Sequence, residues 1–213
     1  MNRRFRRRVI FVALLLIGLN LTRQIFFATP PGPRSLRVFD PDRTAALELD
    51  MWQAYYAKAK FRLFKDLVTM LHEQNRYPWA KATIAGFHLA RAAATFGDAR
   101  DNYERVLPDL ERAYEIEKEW VHAGFDPKAV ARAELAWWVA RRMPGQNSAQ
   151  QVGRLIAEEN ALIFEVPVDR VLEASTLRAH AGKLRDDGAE NADWITVGQL
   201  LTDSYRKLHA AVQ

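Results

Sequence analysis

Apolar side chains divide this sequence into one continuous run and a long series of stripes. Val9 to Leu21 reads VIFVALLLIGLNL, thirteen residues without a charge. As a helix that run is only ~20 Å long, short of the ~30 Å hydrocarbon core of a bilayer. Extension through Ile25, Phe26 and Phe27 brings it to ~28 Å, with Arg23 placed to snorkel toward the head groups. Behind it, Pro30, Pro31 and Pro33 fix φ and remove backbone donors, so residues 28–43 are predicted to form a short, semi-rigid spacer.

From residue 44 onward apolar residues recur at intervals of three and four, the spacing of a buried helix face. A first helix from Thr44 to about Asn75 carries Trp52, Tyr55, Tyr56, Ala59, Leu63, Leu67 and Leu71 as its stripe. A second opens at Pro78 and ends near Phe96, where Gly97 follows; its many alanines predict close approach and a central place. A third, from about Asp98 to Val121, contains Pro108 and should kink or split there. Asp126-Pro127 is a capped start for a fourth, closed by Pro144-Gly145. Three more are expected at about 148–164, 167–185 and 192–212. No segment alternates in the β manner. The fold class is therefore all-α, an irregular multi-helix array or bundle of about six to seven helices preceded by one N-terminal transmembrane or signal-anchor helix. Four parts follow: a cationic cap at 1–8, the apolar helix at 9–27, the spacer at 28–43 and an all-helical globular domain at 44–213.

Charge changes this picture only once it is divided along the chain. The total is +5. Residues 1–37 hold eight arginines and no acid, while residues 38–213 hold 23 basic and 26 acidic side chains, a net of −3. The apparent basicity is thus a topology signal, and the body has no electrostatic reason to bind nucleic acid. The positive-inside rule puts the five arginines of the cap in the cytoplasm and the domain outside. The expected location is a bacterial inner membrane, crossed once. The alternative is cleavage after Ala28, which would leave a secreted or periplasmic protein, although Phe26 is bulky for the position two residues before Ala28. Zero cysteine excludes disulfides, thiolate metal sites and a cysteine nucleophile.

Catalytic signatures are mostly missing: the sequence has no G-x-S-x-G, no phosphate-binding glycine loop and no H-E-x-x-H. No cofactor is expected, and the reading leans away from an enzyme. Glu119-Trp120-Val121-His122 has the carboxylate–imidazole spacing of di-metal bundles, but it stands alone, so His122 is read as a helix C-terminal cap and no metal is expected. Charges on faces that ought to be buried attract more interest. Glu134, Trp138 and Arg141 fall at i, i+4 and i+7 on one helix, and Tyr55, Lys58 and Arg62 are similarly related on another. Glu48, Glu159 and Arg178 sit comparably elsewhere. Such charges must be paired or face water. They mark either a polar pocket between helices, with Tyr55, Lys58, Arg62, Glu134, Trp138 and Arg141 as ligand-binding residues, or ion pairs at the core boundary. Of Trp137 and Trp138, ~100° apart around a helix, one should meet a boundary, a partner or lipid.

Residues 92–116 share some features of a tetratricopeptide unit, but Gly97 to Tyr103 is too long for that repeat and no second copy follows. The anchor, the spacer, M-W-x-x-Y-Y (Met51, Trp52, Tyr55, Tyr56) and E-x-x-W-W-x-x-R-R (Glu134, Trp137, Trp138, Arg141, Arg142) together resemble bacterial membrane-anchored helical proteins, a resemblance that implies no activity. The expected function is binding or scaffolding by an extracytoplasmic domain, with a protein partner in view. An enzyme or small-molecule binder built on the Glu134–Arg141 pocket is the alternative.

Overall fold

The computed structural model describes residues 3–213, with side chains from residue 10 onward. The first two residues of the cationic cap and the side chains of its arginines lie outside the described residues. Nine α-helices occur among the described residues, joined by short loops and without a strand: α1 (Arg3–Phe27), α2 (Pro41–Tyr56), α3 (Lys60–Glu73), α4 (Trp79–Asp98), α5 (Leu107–Val121), α6 (Pro127–Arg142), α7 (Ala149–Phe164), α8 (Val168–Gly188) and α9 (Trp194–Val212). Within α1, Ile10–Phe27 is long and apolar enough to cross a membrane, and none of it is buried.

Eight helices in the body exceed the expected six to seven, because the predicted helix from Thr44 to Asn75 is two helices. Its break falls at Lys58, whose φ of 54° is left-handed. There the Ala59 amide donates back to the Ala54 carbonyl at 2.8 Å and closes α2. The helix also begins earlier than predicted. Asp40 caps it, its side chain accepting from the Asp42 and Arg43 amides, with Pro41 in the first turn. The spacer accordingly ends at Asp40, not residue 43. Pro108 neither kinks nor splits a helix, because α5 starts only at Leu107 and the proline occupies its first turn. At the other end of α8, Asp186-Asp187-Gly188 forms the last helical turn instead of a loop.

The body helices pack in chain order, each against the next, and α9 returns to pack on α2. Successive helices run in opposite directions, so the result is a closed ring of eight. The apolar core is distributed around it in wedges. Val68, Leu71, Ala85 and Trp120 fill the space among α3, α4 and α5; Ala157, Val171 and Leu208 do so among α7, α8 and α9; Ala45, Ala181 and Leu201 join α2, α8 and α9. Small residues set the closest approaches. A Cβ on Gly153 of α7 would lie 2.7 Å from Thr176 Cα on α8, and one on Gly86 of α4 would lie 2.8 Å from Val68 Cγ2 on α3. The alanine-rich α4 is therefore not central. It occupies the ring like its neighbours, its alanines meeting α3 and α5 while Ile84 and Phe87 face outward. Among the described residues no helix occupies the axis, which the eight body helices border.

One end of the ring is clamped by the spacer. Arg37 donates to the Val212 carbonyl at 2.6 Å and to the Phe164 carbonyl at 2.5 Å, the last turns of α9 and α7. Arg34 stacks on Trp120 with Cζ 3.9 Å from the ring centroid, and Arg76 donates to the Pro31 carbonyl at 2.6 Å. The end from which the chain leaves α1 is thereby fixed to the ring.

Candidate functional site

The ring encloses a cavity of about 600 Å³, lined by side chains from all eight body helices and by Leu36 and Phe39 of the spacer. Its walls are mostly aromatic and aliphatic. Its polar groups form two clusters, one across the middle and one at the end away from the spacer.

In the middle, Glu48 of α2 and Arg178 of α8 form a two-pronged ion pair. Arg178 Nε donates to the two Glu48 oxygens at 2.9 and 3.3 Å, and its terminal nitrogen donates to Oε1. Glu48 is 2% exposed, and the partly accessible Arg178 borders the void. Burial alone would lower the Arg178 pKa, but Glu48 more than offsets it and holds the guanidinium charged. The same guanidinium lies 4.8 Å from the centroid of Trp137.

Tyr114 of α5 stands beside this pair. Its hydroxyl is 2.9 Å from Glu134 Oε2 on α6 and 2.9 Å from Glu159 Oε1 on α7. A hydroxyl has one proton and can donate to only one of two carboxylates. The second contact therefore needs a proton from the carboxyl side. Glu159 already accepts from Trp137 Nε1 at 2.6 Å and feels Arg178 more strongly than Glu134 does, and Glu134 has no other donor among the described residues. The consistent arrangement is a neutral Glu134 donating to the Tyr114 oxygen, and Tyr114 donating to an ionised Glu159. Burial first, and then Glu159, push Glu134 up to about 8. Burial and neighbouring Glu48 raise Glu159 as well, against the pull of Arg178.

One turn along α5 from Tyr114, Glu117 also borders the cavity. Asn75 donates to it at 2.7 Å, but burial dominates and pushes its carboxyl up to about 7. No arginine or lysine is paired with either Glu117 or Glu134 among the described residues.

At the far end, Arg141 of α6 donates to Asp186 Oδ2 at 2.8 Å and to the Tyr56 hydroxyl at 2.9 Å, and Tyr56 donates to Asp186 Oδ1 at 2.9 Å. Arg142 stacks on Phe96 with Cζ 3.8 Å from the centroid, donates to the Ala99 carbonyl at 3.1 Å and reaches the Tyr55 hydroxyl at 3.4 Å. Cation and aromatic thus alternate around this opening.

Of the residues singled out from the sequence, Tyr55, Glu134, Trp138 and Arg141 border this one cavity. Lys58 and Arg62 do not. Lys58 sits exposed in the break between α2 and α3, and Arg62 pairs with Asp50 at 3.2 Å on the outer face. Only one straight helix would turn both inward, and the break at Lys58 rotates them out. Both adjacent tryptophans reach the interior, packed edge to face at 6.0 Å, because α6 presents a broad face to the cavity and to α7. Glu117, Tyr114 and Asn75 were not singled out. Glu117 follows Tyr114 by three residues on the stripe, a signal available in the pattern but hidden in a run of charged residues. His122 adopts the left-handed conformation at the end of α5, with φ of 56°, and no cluster suited to a metal ion occurs among the described residues. No protein-family model, curated protein or solved structure matches this chain.

Proposed function

We propose that this chain is a membrane-anchored small-molecule-binding protein whose ligand occupies the axis of the helical ring. One observation carries the reading: the cavity has the volume of ligand sites, which run ~300–1,000 Å³, and aromatic walls with a few convergent polar groups. A fold that served only as a rigid support would gain by filling such a void. It would gain again by replacing inward carboxyls with apolar side chains. In the same reading α1 crosses the membrane with the cationic cap in the cytoplasm, and the clamped spacer holds the ring against the outer face. A role confined to docking a protein would use the outer surface, where Phe61 and Ile195 are 81% and 76% exposed, and would leave the void without a purpose.

Native mass spectrometry of the full chain, extracted from its own cells in detergent, tests this. The wild-type chain is expected to carry a non-covalent small-molecule mass that is released on unfolding. Ala93→Phe, which projects a ring into the cavity from α4, is expected to lose it. A wild-type chain that is always bare, or equal occupancy in both, would overturn the reading.

A further inference from the structure

The cavity's charge inventory restricts what it can hold. Its lining carboxyls are Glu48, Glu117, Glu134, Glu159 and Asp186, and its lining cations are Arg141, Arg142 and Arg178. Arg178 is committed to Glu48 and Arg141 to Asp186. Arg142 is held by a carbonyl and lies flat on Phe96 at the far opening. Between the spacer and the middle of the ring this leaves three carboxyls, Glu117, Glu134 and Glu159, with no cation among the described residues free to balance them. The groups that act on Glu134 are Tyr114 and Glu117 from α5, Glu159 from α7 and Arg178 from α8, while Glu48 from α2 and Tyr205 from α9 act on Arg178.

An anion entering this region meets like charge and no unpaired donor cation. A neutral apolar molecule brings no counter-charge to Glu117 and Glu134. A cation with an apolar body satisfies both kinds of wall, the carboxyls by charge and the aromatic rings by burial and cation–π attraction. We propose that the ligand is an amphipathic organic amine, its ammonium seated between Glu134 and Glu117 and its apolar body against Trp52, Trp138 and the α3 and α4 faces, and that it enters by displacing a proton from Glu134. This rests on the reading of the cavity as a ligand site. The step balances simply. The ammonium arrives charged, the neutral carboxyl of Glu134 becomes a carboxylate, and its proton leaves to solvent, so the cavity's net charge does not change. Tyr114 keeps its proton and its bond to Glu159, and its oxygen loses the donor it had from Glu134.

Three matched probes separate this claim from the one beneath it: 4-phenylbutylammonium, 4-phenylbutanoate and 4-phenyl-1-butanol, which share a body and differ in head group. Calorimetric titration of the full chain in detergent at pH 7, in two buffers of different ionisation enthalpy, reads both affinity and proton release. The ammonium is expected to bind at least tenfold tighter than either other probe and to release about one proton per molecule bound. In Glu134→Gln, where an amide imitates the neutral carboxyl, the ammonium should weaken at least tenfold and release should fall to the fraction that Glu117 still supplies, while the alcohol is unchanged. Glu117→Gln should weaken the ammonium and leave release from Glu134 in place. Tight binding of the butanoate or the butanol instead would overturn the amine while leaving the ligand site standing. Ammonium binding without proton release would overturn the exchange at Glu134. Failure of all three to bind would overturn the amine, and the mass measurement would then decide whether the site itself survives.

Discussion

Arg178→Met is expected to destabilise the folded domain by about 3–5 kcal/mol, the cost of leaving one member of a buried ion pair without its partner. The size follows from what remains. Glu48 is 2% exposed and its oxygens accept from Arg178. Glu159 loses its nearest positive charge while it still sits beside Tyr114 and Trp137. Methionine preserves most of the stem volume, so the loss measures charge more than packing. The pair also joins α2 to α8 across the place where α9 closes the ring, so its loss weakens closure as well as solvation. Denaturant unfolding of the single variant checks the magnitude. The double variant Arg178→Met/Glu48→Leu is expected to recover most of it, because removing both members removes the stranded charge. A single variant within about 0.5 kcal/mol of wild type would mean that water reaches Glu48 freely.

The second large effect is on pH. Glu134 and Glu117 ionise near 4.5 in an unfolded chain and at about 8 and about 7 in the folded one. At pH 4 both states hold the protons and stability is unaffected by these groups. As pH rises past 4.5 the unfolded chain ionises while the folded one keeps its protons, so the unfolded state binds fewer and stability falls. The fall continues until the folded carboxyls themselves ionise, closing the window near pH 8. One such group contributes at most ~1.4 kcal/mol per pH unit. Water admitted by the cavity reduces that, and Glu134→Gln is expected to stabilise the domain by about 2 kcal/mol at pH 8 and by almost nothing at pH 4. Denaturant melts across pH 4 to 8 for wild type and variant decide it. A variant less stable than wild type at pH 8 would mean that Glu134 works as a carboxylate in the fold, not as a neutral donor.

Much of this architecture was legible in the residues. Asp126-Pro127 marks a helix start in the sequence and starts α6 with a capping hydrogen bond. Asp40-Pro41 carries the same signal, but the prolines before it mask it by extending the spacer's character past its end. The break at Lys58 was not legible, because the three-and-four spacing runs through it without interruption and no glycine or proline marks the left-handed residue. Ring closure was not legible either. Each helix shows one apolar stripe whether it packs against a central helix or around a void, and only the packing of α9 on α2 distinguishes them.

The site follows the same division. Charges beside aromatics on inward faces identify Glu134, Arg141, Glu48, Glu159 and Arg178 as groups that must pair or face water. Which carboxyl pairs with which base is set by helix order around the ring, and helical periodicity carries no information about that. Tyr114 shows the difference most clearly. As a stripe residue it is one more core aromatic, and only the approach of α6 and α7 from two sides places two carboxyls on its single hydroxyl.

Infrared difference spectroscopy reads that shared proton directly. Spectra of the full chain at pH 7, wild type minus Glu134→Gln, are expected to show the protonated-carboxyl carbonyl stretch of Glu134, the half-protonated Glu117 being common to both. The band should vanish as 4-phenylbutylammonium fills the cavity. A wild-type spectrum without that band, showing Glu134 ionised in the empty protein, would contradict a cavity that keeps a neutral acid ready for a cation.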